Sequence, residues 1–186
     1  MEIILAENHG FCYGVKRAVE MADEAANSEG KSYTLGPIIH NPQVVGRLES
    51  KGVSPIQKVA DIDEGTMIIR SHGVGPAIYA EAEEKGLHIL DATCPHVKKA
   101  QQDAKSVIED GMTLVILGEK NHPEVKSINL WANNKGIIIE DEESAEKLQI
   151  VEKMGVVVQT TFSQFKFNSI IEILEKKSKN LKIFKT

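Results

Sequence analysis

Residues 87–100 read Leu87-His88-Ile89-Leu90-Asp91-Ala92-Thr93-Cys94-Pro95-His96-Val97-Lys98-Lys99-Ala100. The apolar run over 87–91 predicts a strand. Pro95 suits the first position of a helix, and apolar residues recur at helical spacing from there to 110. Cys94 stands at the junction. The segment it opens has a counterpart 82 positions earlier, Cys12-Tyr13-Gly14-Val15-Lys16-Arg17-Ala18. Leu35-Gly36-Pro37-Ile38-Ile39-His40 and Leu117-Gly118-Glu119-Lys120-Asn121-His122 stand at the same offset of 82. Lys51-Gly52-Val53 corresponds to Lys135-Gly136-Ile137, and Met67–His72 corresponds loosely to Val156–Thr161. Two independent motifs at one offset make this chain two copies of one unit, each opening with a cysteine.

Within each unit, helical and strand patterns alternate. Helices are predicted over 14–27 and 95–110. Strands are predicted over 32–36, 66–70 and 87–91, then over 112–117, 136–139 and 155–159. Short apolar runs separated by helices argue for parallel strands with helical crossovers. The expected fold class is α/β, with small repeated domains at 13–94 and 95–186, each a parallel sheet flanked by helices. Residues 1–12, with a strand-like run at Ile3–Ala6 and the first cysteine, are left over. The run Ile89–Thr93 leads into Cys94, so the matching run at 183–186 is expected to precede a third cysteine and a third unit.

Composition narrows the function. The 186 residues are 41% hydrophobic, enough for a packed core, and carry no apolar run long enough to span a bilayer. The N-terminus has an acid where a secretory signal has lysines, so a cytoplasmic protein is expected. The 22 basic and 27 acidic side chains are interspersed, without the basic stripe of a nucleic-acid binder. Two cysteines are too few for a disulfide framework; they are buried small residues, free thiols, metal ligands or redox groups.

The chemically capable side chains share one address. His40, His72, Cys94, His122 and the pair Thr160/Thr161 each follow an apolar run, and Pro42, Pro76, Pro95 and Pro123 suit helix starts just beyond. Carboxyl ends of parallel strands form ligand crevices, and the helix N-termini there favour anions. Cys12 and Cys94 precede helices, where the dipole favours the thiolate that an iron–sulfur cluster needs. A small residue in a tight turn is the plainer reading. The histidines are surface caps on one reading. On another they are a convergent set for an anion and its protons. No two of His40, His72 and His122 are four apart, and there is no Cys-x-x-Cys, so a structural zinc site has little support. Glu124, two residues after His122, is either a first-turn acid favoured by the dipole or a proton donor. Trp131 and the acidic run 140–143 read as packing and a solvated turn.

Six segments resemble one family along the whole chain: Gly10–Ala18, His40-Asn41, Arg70-Ser71-His72-Gly73-Val74, Asp91-Ala92-Thr93-Cys94-Pro95, His122-Pro123-Glu124-Val125 and Gln159-Thr160-Thr161. They resemble signature segments of the 4-hydroxy-3-methylbut-2-enyl diphosphate reductases, the LytB family. The resemblance implies three similar α/β domains around a central cavity, with residues 1–12 completing the third. It implies a [4Fe–4S] cluster held by three cysteines, Cys12 and Cys94 being two. His40, His72 and His122 would contact the diphosphate. Glu124, with Thr160 or Thr161, would relay protons to a leaving hydroxyl. Electrons would come from ferredoxin or flavodoxin, and the products would be isopentenyl and dimethylallyl diphosphate, closing the non-mevalonate route to isoprenoids.

With two cysteines, the 186-residue chain is expected to be inactive alone. A non-catalytic diphosphate-binding module, and a fragment complemented by a separate third domain, stand as alternatives.

Overall fold

A computed structural model describes residues 4, 7, 9–28 and 30–184. The strand expected at 3–6 therefore lies outside the described residues, apart from Ile4.

The first half runs α1 (Tyr13–Ala26), β1 (Ser32–Leu35), α2 (Pro42–Ser50), β2 (Val53–Ile56), a 3₁₀ turn (Val59–Asp61), β3 (Thr66–Ile69), α3 (Pro76–Glu84) and β4 (His88–Asp91). The second runs α4 (Pro95–Glu109), β5 (Thr113–Leu117), α5 (Pro123–Trp131), β6 (Ile137–Ile139), α6 (Glu142–Glu146), β7 (Val151–Val158), α7 (Gln164–Lys177) and β8 (Ser178–Phe184). Each half forms a four-stranded sheet, in the orders β2-β1-β3-β4 and β6-β5-β7-β8. Every pairing is parallel. The repeat in the sequence is thus a repeat of topology, strand for strand.

Parallel sheets need cover on both faces, and the sequence supplies it. On one face of the first sheet, Ala18, Val19 and Ala22 of α1 join Leu48 of α2 against Ile68. On the other, Ala82 of α3, Val59 of the 3₁₀ turn and Ile62 just after it meet Met67 and Ile69. The second sheet repeats this, with Ala100, Ala104 and Val107 of α4 and Ile128 of α5 on one face. Ala145 of α6 and Ile170 and Leu174 of α7 lie on its other face. Fully burying one such Ile, Leu or Val contributes about 1.5–3 kcal/mol.

The four prolines open α2, α3, α4 and α5, where their missing N–H costs nothing. Two details depart from expectation. β2, which the periodicity missed, contains Pro55; as an edge strand it tolerates a residue that cannot donate. The acidic run at 140–143 is not a plain turn: Asp141 accepts from Ser144 N–H at 2.8 Å and caps α6.

Candidate functional site

In both sheets the connections diverge on either side of the central pair, β1/β3 and β5/β7. A crevice opens at the carboxyl ends of strands at such a switch point. His40 follows β1, His72 follows β3, His122 follows β5 and Thr160 follows β7. The two crevices converge. The His40 and His72 ring centroids are 4.6 Å apart, His72 and His122 5.4 Å, and His40 and His122 6.2 Å. One nitrogen from each lies within 4.8 Å of the others.

Such a trio can hold a metal or an anion, and the hydrogen bonds discriminate. His122 caps α5, its Nδ1 accepting the Glu124 N–H at 3.2 Å. A neutral ring whose Nδ1 accepts carries its proton on Nε2, which makes Nε2 a donor and not a metal ligand. Asn41 caps α2 beside His40, accepting from Val44 N–H. His72 is held neutral down to about 3, by burial first and then by unfavourable electrostatics with the His40, Arg70 and His122 side chains. Its Nδ1 is buried with no hydrogen-bond partner among the described residues. Arg70 lies half-buried behind it. Two helix starts, an N–H donor and a nearby guanidinium are groups that can attract an anion.

Glu124 is 2% exposed. Its Oε1 accepts the Thr160 N–H at 2.7 Å and its Oε2 accepts the Thr160 hydroxyl at 2.9 Å. Burial pushes the carboxyl above its ordinary range, against the pull of the two Thr160 bonds and His122. A carboxyl that retains a proton more tightly and is bonded to a hydroxyl has the chemistry to hold a proton and pass it on. Thr161 is placed elsewhere. Its hydroxyl accepts from Gln159 Nε2 at 2.9 Å, and it lines a separate cleft of about 420 Å³ with Glu119, Glu140 and Lys166. Gln159, quoted in a signature segment but given no role from the sequence, is 4% exposed and also accepts the Glu119 N–H. No spacing rule singles out a buried glutamine of this kind.

Cys12 and Cys94 stand at the N-cap positions of α1 and α4, Cys12 with extended backbone, and neither thiol makes a capping bond. Cys12 is exposed and Cys94 half-buried. The two turns meet: a Cβ on Gly14 would lie 2.5 Å from Cys94 Sγ, so only glycine lets α1 approach so closely. Arg17 donates to the carbonyls of Thr93 (3.2 Å) and Asp91 (3.4 Å), tying α1 to the cysteine turn. Asp91 braces that turn from within, accepting from Thr93 N–H at 2.9 Å, Tyr79 hydroxyl at 3.0 Å and Lys98 at 2.6 Å. Burial alone would raise its carboxyl; the Lys98 and Thr93 bonds outweigh that and hold it low. Cys94 N–H donates to the Ser71 carbonyl at 2.9 Å, next to His72. Phe11, His40 and His72 line one cavity of about 250 Å³. Val15 of α1 lines that cavity too, so the turn at Cys12 borders it together with two of the histidines.

Known proteins resemble this chain in sequence and in fold. The profile described as LytB protein matches residues 3–186. The 4-hydroxy-3-methylbut-2-enyl diphosphate reductase of Geobacter metallireducens is 47% identical over 186 residues, covering all of this chain and 66% of the relative. That of Geotalea uraniireducens is 46% identical over the same span. The chain thus spans about two thirds of the length of these relatives. Among solved structures, a diphosphate reductase described as the terminal enzyme of the non-mevalonate pathway superposes with a TM-score of 0.86 at 43% identity. That match covers 98% of this chain and 66% of the other. The reductase from Plasmodium falciparum superposes with a TM-score of 0.90 at 30% identity, covering 96% and 57%. With a family match along almost its full length, relatives at 46–47% identity and the same fold, this chain belongs to the LytB family.

Proposed function

We propose that this chain carries the diphosphate-binding and proton-delivering parts of a 4-hydroxy-3-methylbut-2-enyl diphosphate reductase. The observation that carries the reading is three imidazoles from three strand ends within 4.8 Å, with a buried carboxyl–hydroxyl pair starting on the same helix. The reaction balances as substrate plus two electrons and two protons giving isopentenyl or dimethylallyl diphosphate plus water.

His122 Nε2–H, with His40 and His72, donates to the diphosphate, and Arg70 adds positive charge behind them. Glu124 supplies a proton through the Thr160 hydroxyl, which accepts from the carboxyl as it donates to the departing hydroxyl. Thr161, bonded to Gln159, supports this edge instead of relaying. The enclosed strand ends limit water around the proton donor.

The cysteines fit a [4Fe–4S] cluster: two uncapped thiols at two helix starts, packed together at Gly14. Cys12 and Cys94 would hold it, and it would supply electrons one at a time from ferredoxin or flavodoxin. A third thiolate is not among the 186 residues, which contain two cysteines. This count favours a second reading, in which the chain alone binds diphosphate without catalysis.

Calorimetric titration with (E)-4-hydroxy-3-methylbut-2-enyl diphosphate tests the binding part. Saturable binding displaced by inorganic pyrophosphate is expected, and its absence overturns the reading. Binding that persists after iron is chelated, without turnover in the reconstituted protein, supports the second reading.

A further inference from the structure

α5 does more than present His122 and Glu124. One turn beyond Glu124, the Ser127 hydroxyl lies 2.8 Å from the His72 carbonyl and 2.9 Å from the Glu124 carbonyl. It accepts from Gln101 Nε2 of α4 at 3.2 Å. Ser127 and Gln101 are 2% and 3% exposed, so these bonds are shielded from water. One turn further, the Trp131 indole N–H donates to the Val74 carbonyl at 2.9 Å. The loop so gripped is a tight turn, with Gly73 N–H donating to Arg70 O at 3.0 Å and Gly73 at φ +70°. Its glycines admit the second half closely: a Cβ on Gly73 would lie 2.4 Å from Gln101 Nε2, and one on Gly75 2.8 Å from Leu130.

The geometry has a consequence for the site. His72 belongs to the first half and His122 to the second, and among the described contacts Ser127 ties the His72 backbone directly to the helix that carries His122. The serine hydroxyl has a single hydrogen and two carbonyls to serve, and the Gln101 amide occupies its lone pair. Such a shared bond sets a distance without touching a ligand.

We propose that Ser127, backed by Gln101 and Trp131, is a positioning residue that sets the His72–His122 spacing and thereby the affinity of the three-histidine pocket for a diphosphate. The proposal rests on the anion-binding reading above. In Ser127→Ala the His72 carbonyl loses its donor and Gln101 its acceptor, and the 71–74 loop is free to drift from α5. A hydrogen bond of ordinary net worth is equivalent to about a fivefold change in an equilibrium constant.

The experiment compares parent, Ser127→Ala and Trp131→Phe. It uses calorimetric titration with inorganic pyrophosphate, thermal melts, and imidazole ¹H–¹³C spectra in which His72 is assigned from a His72→Gln sample. Expected is about fivefold weaker pyrophosphate binding by each folded variant, with the His72 and His122 resonances displaced. A purely structural role would lower the melting temperature and leave affinity and resonances of the folded protein unchanged, which would overturn the proposal. If Ser127→Ala does not fold, Trp131→Phe decides by the same readouts. Absence of binding by the parent itself removes the anion reading. The spacing claim is then judged on the resonances, and unmoved His72 and His122 signals sink it.

Discussion

Glu124 and His72 are two side chains of the site whose protonation the fold shifts, in opposite senses. Burial raises the Glu124 carboxyl, so the folded state holds that proton more tightly than the unfolded state. Its contribution to stability is present in acid and is lost as pH rises through the folded value. Glu124→Gln keeps the shape and removes the charge. The variant's melting temperature relative to parent should therefore be higher at pH 7.5 than at pH 4.5, and parallel pH profiles would contradict this. In the reductase reaction, measured with a full-length relative carrying the equivalent change, product formation should fall by about a hundredfold or more. His72 is depressed to about 3 by burial and then by unfavourable electrostatics with His40, Arg70 and His122. The unfolded chain takes up a proton near 6.5 that the folded chain refuses, so stability present above that pH is lost progressively toward 3. His72→Gln should flatten this acid limb in thermal melts, and an unchanged limb would mean the imidazole is not held neutral.

At the scale of elements, the candidate site residues gather at helix starts. Cys12, Cys94 and His122 are all N-cap residues, and Asn41, beside His40, is another. The turn before α4 is braced by Asp91, whose carboxylate serves a backbone N–H, a tyrosine hydroxyl and a lysine at once. Asp91→Ala leaves these partners unsatisfied. It should cost about 2 kcal/mol in denaturant unfolding and speed alkylation of Cys94 by iodoacetamide. Equal alkylation rates would show that the turn holds without its brace. Within α5, Ile128 is fully buried against the second sheet. Ile128→Ala should cost about 2–5 kcal/mol by leaving a cavity. Chemical denaturation would measure it.

The whole molecule is two copies of one doubly wound unit, turned so that the carboxyl ends of both sheets meet at the histidines. No helix among the described residues is long and apolar enough to cross a membrane. With two cysteines in 186 residues, anaerobic reconstitution with iron and sulfide should give a cluster that bleaches in air, and no sustained reductase turnover. A stable, stoichiometric iron–sulfur chromophore with activity would overturn that expectation.

What the sequence determined by itself was local and periodic. Proline positions marked the starts of α2 to α5, apolar runs marked seven of the eight strands, and the offset of 82 between cysteine and histidine motifs disclosed the repeat. These signals survive in one dimension because strand period, helix start and repeat spacing are properties of neighbours along the chain. β2 escaped because an edge strand with a proline has neither the composition nor the periodicity of a central one. Tertiary structure alone decided that His40, His72 and His122 stand within 4.8 Å, and that Thr160 pairs with Glu124 while Thr161 turns to Gln159. It also decided that Ser127 grips the His72 loop. Each is a contact between residues 2 to 82 positions apart whose partner is selected by how the two sheets and their helices pack, and adjacent threonines with the same chemistry offer the chain no means of declaring which one faces the acid.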